Sequence, residues 1–192
     1  MVLTFSNAKV ALCISLYIVL NLLYSTYLKN IPIVDIFCIA FGFILRVFAG
    51  SFAIGVETSG LLFMFTLFLS LFLASSKRKA ELMKYGSSAR KSLSGQSVHT
   101  LEKFQGVLAG ATIVSYALYS LTPSIVVKFG DKLIYSIIFV IFGIFRYIEQ
   151  SDKSATYEDP TDNLYNDKVL AICIMMYIVY LAIIISNTIL KK

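Results

Sequence analysis

The sequence predicts an all-α integral membrane protein, a bundle of about six transmembrane helices, and three observations carry that reading. Apolar residues make up 58% of the 192 residues and charged ones only 15%, with a mean hydropathy of +0.79. A soluble domain of this size has too little interior to hide so much apolar surface. The apolar residues come in runs of membrane-crossing length, and Lys and Arg gather at the ends of those runs.

Crossing the hydrocarbon core takes about 20 apolar residues. The first such run is 8–27; it lacks a basic leader and a small-residue cleavage site, so it is expected to be retained and not cleaved as a signal. The runs at 33–56, 61–75, 104–121, 133–147 and 169–189 follow, the third and fifth short enough to require a further turn from their flanks. No internal repeat, low-complexity tract or soluble domain interrupts them, so residues 1–192 are expected to form one helical bundle. Cys13, Cys38 and Cys173 lie in separate runs without paired spacing, which disfavours a disulfide framework or zinc site. His99 stands alone in a loop.

The second run contains Arg46 well inside its length. A guanidinium stays charged in any environment, and at bilayer depth it costs at least about 2.5–3.5 kcal/mol unless a partner or polar cavity receives it. At helical spacing Asp35, Gly42, Arg46, Ala49, Gly50 and Ala53 fall on one stripe, with Phe37, Phe41, Ile44 and Phe48 opposite. That division describes a helix packed in a bundle with its polar side lining an interior. Arg46 reads either as an anion-binding residue or as a structural one paired to a neighbouring helix.

Connections alternate in length. The long ones, 77–103 and 148–168, fall on the same side of the membrane. That side also collects most of the Lys and Arg, so the positive-inside rule makes it cytoplasmic and places the amino terminus outside. The net charge of +6 therefore reflects topology, and nucleic acid is not an expected partner. The first long loop opens with Ser75-Ser76-Lys77-Arg78-Lys79-Ala80-Glu81. If the third helix continues, Lys77, Glu81 and Lys84 share a face with Arg78 beside them, a cluster able to hold phosphate, although a basic helix end needs no ligand. The second long loop carries Glu149, Asp152, Glu158, Asp159, Asp162 and Asp167, with Arg146 and Tyr147 at its threshold. Carboxylates there could hold Mg²⁺ against a substrate phosphate or be simply solvated. If Arg46, the basic cluster and the acidic loop converge, they form one cytoplasmic pocket for a phosphate-bearing substrate.

Ordered residues then mark a family resemblance. Asn21, Tyr24, Ser25, Lys29, Pro32 and Asp35, then Gly42, Phe43, Leu45 and Arg46 with Ala49-Gly50, then Lys77, Arg78, Ala80 and Glu81 form the pattern, with Phe145-Arg146-Tyr147 and 160–170 downstream. The chain resembles the decaprenyl-phosphate phosphoribosyltransferases of the UbiA-type polyprenyl transferase superfamily. The resemblance implies an all-helical fold in the cytoplasmic membrane and transfer of a phosphoribosyl group from phosphoribosyl pyrophosphate to a polyprenyl phosphate, with Mg²⁺ on the leaving pyrophosphate. It points to Tyr24, Lys29, Asp35, Arg46, Lys77, Arg78, Glu81, Arg146 and Tyr147 as substrate-binding residues and to Asp159, Asp162 and Asp167 as metal ligands. It also implies a chain lacking the family's first three helices and its first aspartate-rich motif, inactive alone and completed by an amino-terminal fragment of the same enzyme. The alternatives are a UbiA-type aromatic prenyltransferase and a non-catalytic membrane subunit completing a split enzyme.

Overall fold

The computed structural model describes residues 2–86, 93, 96–153 and 167–189. They form an all-helical membrane bundle: α1 (Val2–Thr26), α2 (Val34–Ala53), α3 (Gly60–Tyr85), α4 (Val98–Ser120), α5 (Pro123–Phe129), α6 (Ile137–Lys153) and α7 (Lys168–Ile189). Among the described residues there is no strand. Five helical stretches are long and apolar enough to cross a membrane, and α4 passes the same test only together with α5, from which it is bent by 64°. Five to six spans agree with the bundle of about six expected from hydropathy.

Local chemistry sets the helix ends. The Ser59 hydroxyl accepts from the Leu62 amide at 3.1 Å and starts α3, and Ser97 does the same for α4 through Thr100, also at 3.1 Å. Pro123 opens α5, where its missing N–H is no loss. Gly130 ends α5 at φ 73°, a left-handed conformation that suits glycine.

The main departure from the expected boundaries is α3. It does not stop at Ser75 but runs to Tyr85, a 26-residue helix about 39 Å long at 1.5 Å per residue. That exceeds the ~30 Å hydrocarbon core, so its last turns carry Lys77 to Lys84 as helix and not as loop. Lys, Arg and Glu are good helix formers, and Arg78 reaches Glu81 one turn on.

Helices pack in chain order, α1 on α2, α2 on α3 and α3 on α4, with α6 and α7 paired and α6 also touching α4. One apolar cluster joins α2, α3 and α4 through Ile36, Ala40, Leu71, Ala74 and Leu101. A second joins α3, α4, α6 and α7 through Phe72, Ala109, Ile144, Tyr147 and Leu170. Because α2 lies between α1 and α3, it buries two sides. Asp35, Ile36, Cys38, Ala40, Gly42 and Ile44 are buried, whereas Arg46, Gly50 and Ala53 are exposed. The single polar stripe expected for this helix is therefore corrected: Ile44 turns inward, and Arg46 lies at an open edge beside α1.

Candidate functional site

Charged side chains converge at the end of the bundle shared by the end of α1, the start of α2, the end of α3, the start of α4, the end of α6 and the start of α7. Arg78 and Lys79 are each only 1% exposed. Charges so deeply buried require compensation, and both have it. The Arg78 guanidinium is bonded to Glu81, and its Nε lies 3.2 Å from Asp35 Oδ2, an ion-pair distance without hydrogen-bond alignment. Asp35 is itself buried in the first turn of α2, where a carboxylate suits the helix dipole. The turn before it is tight: Ile33 adopts φ 68°, rare for a β-branched residue.

Lys79 points the other way, bonded to Asp152 of α6 and 3.3 Å from Glu102 of α4. Below it the Gln105 amide donates to Ser76 Oγ at 2.6 Å. Three helices are thus tied at one level by polar side chains. Glu102 and Gln105 are absent from the residues singled out in the sequence, where Lys79 is named only within the basic run and Asp152 only within the acidic loop. The signal that would have found them is a third helix continued past Ser75, which places Arg78 and Lys79 about 100° apart, facing different neighbours.

Next to this cluster lies a cavity of about 840 Å³ bounded by α1, α2, α3, α6 and α7. Its walls are apolar, with Phe43, Leu69, Phe72, Leu73, Val140, Ile144, Leu170 and Ile174 among them. Lys77, Arg78, Tyr24 and Tyr147 also line it. Since Lys77 and Arg78 stand at the charged end, the cavity has one basic end and an apolar body.

Arg46 lies outside that cavity, in a neighbouring one of about 200 Å³ with Tyr17, Asn21, Tyr24, Cys38 and Gly42. Tyr24, Ile39 and Phe43 border both. The Arg46 guanidinium donates to the Tyr17 hydroxyl and lies over two rings, 4.9 Å from the centroid of Tyr17 and 5.1 Å from that of Phe43. The Tyr17 ring packs beside Gly42 of α2, where a Cβ would sit 3.5 Å from it, an ordinary van der Waals contact. Tyr17 was not singled out in the sequence.

Lys29 lies in the one-turn helix Leu28–Asn30, half-buried. Arg146, also half-buried, donates to Asp167 through Nε at 2.6 Å and Nη2 at 3.2 Å, and to Glu149 at 3.0 Å. Asp167 Oδ1 also accepts from the Val169 amide at 3.0 Å. The Arg146 guanidinium holds the Asp167 carboxyl below the usual carboxylate range; burial opposes it, and the Val169 and Leu170 amides assist. With a folded value below the unfolded one, the stabilisation is complete above the unfolded value of about 3.9 and is lost as pH falls through the folded value. Thermal unfolding in detergent should therefore show a constant gap between wild type and Asp167→Asn from about pH 7 to 5, narrowing below about pH 4. A gap that widens in acid would contradict this pairing.

Asp159 and Asp162 lie outside the described residues. Among the described residues no three His, Cys, Asp or Glu side chains come together as metal ligands, and both Asp167 oxygens are already engaged.

The chain is similar to curated proteins named decaprenyl-phosphate phosphoribosyltransferase. It is 37% identical to that of Corynebacterium glutamicum over 116 residues, 59% of this chain and 35% of the relative. It is 29% identical to that of Mycolicibacterium smegmatis over 182 residues, 90% of this chain and 57% of the relative. It is 27% identical to that of Mycobacterium tuberculosis over 173 residues, 88% and 56% of the two chains. No family model matches it. The chain thus spans between 35% and 57% of the length of these relatives. The resemblance first seen in the second and third membrane runs extends along the helical body, which is similar over up to 90% of the chain to proteins named decaprenyl-phosphate phosphoribosyltransferase.

Proposed function

We propose that the chain forms the acceptor-lipid part of a membrane phosphoribosyltransferase, which moves a phosphoribosyl group from phosphoribosyl pyrophosphate to a polyprenyl phosphate. The observation that carries the reading is the cavity with apolar walls and Lys77 and Arg78 at one end. A polyprenyl phosphate has the matching division, a long apolar tail and one phosphate. Arg78 is held from behind by Glu81 and Asp35, so its planar fork is already oriented before a phosphate arrives. Lys77 adds a point charge at the same end.

The donor enters from the charged end, on the cytoplasmic side of the cell's inner membrane, and Arg46 with Tyr24 receives its phosphates. Tyr24 borders both cavities, so acceptor and donor meet beside it. In the transfer, a phosphate oxygen of the acceptor bonds to the ribose C1. The bond from C1 to the pyrophosphate oxygen breaks, and its electron pair leaves with the pyrophosphate. The described residues alone do not build a metal site, so Mg²⁺ belongs to the proposal through Asp159 and Asp162. When bound it neutralises charge on the departing pyrophosphate. The remaining ligands are supplied by an amino-terminal fragment of the same enzyme.

The test is radiolabelled phosphoribosyl transfer to polyprenyl phosphate in detergent with Mg²⁺, using residues 1–192 with and without such a fragment. Little transfer from the chain alone and restored transfer with the fragment is the expected result. Full activity alone would refute the divided metal site. Turnover of a prenyl pyrophosphate with an aromatic acceptor would instead identify an aromatic prenyltransferase. A stable complex without either reaction would leave a non-catalytic subunit.

A further inference from the structure

The far end of the large cavity differs from its charged end. Phe65 of α3, Phe139 of α6 and Tyr177 of α7 line it there. Along α3, Phe65 and Lys77 lie about 18 Å apart at 1.5 Å per residue. Behind these rings sits Tyr116 of α4, buried, its ring 5.3 Å from Phe65 and 6.5 Å from Tyr177. Phe139 stands 6.4 Å from Tyr177. Rings from four helices, in the tilted and edge-on arrangements aromatic pairs favour, thus close this end.

The hydroxyls lock the wall and fix its polarity. Ser136 Oγ donates to the Leu133 carbonyl at 2.6 Å, which uses its single proton. Tyr116, 2.5 Å from Ser136 Oγ, must therefore donate to it. Tyr177, 3.2 Å from Tyr116, must in turn donate to Tyr116. Every proton of this chain is committed, so the far end offers no hydroxyl donor to a phosphate. The basic end takes the headgroup, and the tail must run towards the rings.

We infer that Tyr177 and Phe65 form a stop for the lipid tail and determine how much of it the cavity holds. This rests on the acceptor-lipid reading proposed above. Tail length beyond the stop adds no contact inside the bundle, so the protein holds the headgroup-proximal part of any long polyprenyl phosphate equally.

The experiment measures binding of farnesyl and decaprenyl monophosphate to the purified full chain in one detergent, with inorganic phosphate as competitor for the headgroup. In wild type the two lipids should bind with similar affinity. Tyr177→Ala and Phe65→Ala, tested separately because either could fold poorly, should each shift the ratio about tenfold towards decaprenyl phosphate, the effect of burying about two further methylene groups. Tyr177→Phe keeps the ring and should keep the wild-type ratio. An unchanged ratio in both alanine variants, or the full shift in Tyr177→Phe, would overturn the stop. If wild type binds neither lipid, the acceptor-lipid reading itself falls, a result distinct from an unchanged ratio.

Discussion

Arg78→Leu is expected to leave little folded protein. The substitution removes a cation that is 1% exposed while Asp35, also 1% exposed, and Glu81, at 7%, remain in place. Deleting one partner of a buried ion pair costs about 3–5 kcal/mol, because the surviving charge stays buried without the cation that compensated it. That approaches the whole stability of many domains. Circular dichroism in detergent is the suitable measure, since the chain has no tryptophan to report unfolding. A companion variant, Asp35→Asn with Arg78→Leu and Glu81→Gln, should recover much of the folded yield, yet fail to bind polyprenyl phosphate. Lys79→Met should be milder although Lys79 is equally buried. The side chains of its partners Glu102 and Asp152 are 47% and 51% exposed, so water can take over when the ammonium is gone. Equal losses in Arg78→Leu and Lys79→Met would show that partner burial does not set the cost.

The contrast between these adjacent residues also shows where sequence reasoning ends. Membrane crossings are legible because each needs about 20 apolar residues, a long and redundant signal. The end of α3 is not, since hydropathy falls at Ser76 while the helix continues through residues with good helix propensity. With that boundary misplaced, Lys77, Arg78 and Glu81 can be recognised as a basic cluster, but not as two back-to-back ion-pair sites. Lys79 then looks no different from its neighbours. On α2 the difficulty is geometric. A single stripe follows from assuming one packed face, whereas α1 and α3 cover two sides, so Asp35 reaches α3 while Gly42 faces Tyr17 of α1. Tyr17, Tyr116 and Tyr177 act through partners on other helices, 20 to 61 residues away. No local pattern records such contacts. Asp159 and Asp162 fall outside the described residues, and their role rests on the resemblance.

Arg46→Lys should weaken phosphoribosyl pyrophosphate binding by about ten- to hundredfold, in a complete or fragment-complemented protein, with folded yield unchanged. A hydrogen bond to a charged group is worth about 1.5–3 kcal/mol, and each 1.4 kcal/mol is tenfold in affinity. The lysine keeps the charge but loses two features that the geometry uses. Its ammonium cannot spread a planar, delocalised charge over the Tyr17 and Phe43 rings, whose centroids lie 4.9 and 5.1 Å from the guanidinium carbon, and it cannot present a planar fork to a phosphate while bonded to Tyr17. Folding should tolerate the change because Arg46 is exposed at the edge between α1 and α2. Tyr17→Phe retains the ring and removes the hydroxyl, so it should fall between wild type and Arg46→Lys if the Tyr17 bond orients the fork. Donor affinity at the wild-type level in Arg46→Lys would remove Arg46 from the binding site. A sharp fall in folded yield for Arg46→Ala, with affinity intact in the protein that remains, would assign it a structural role between α1 and α2 instead.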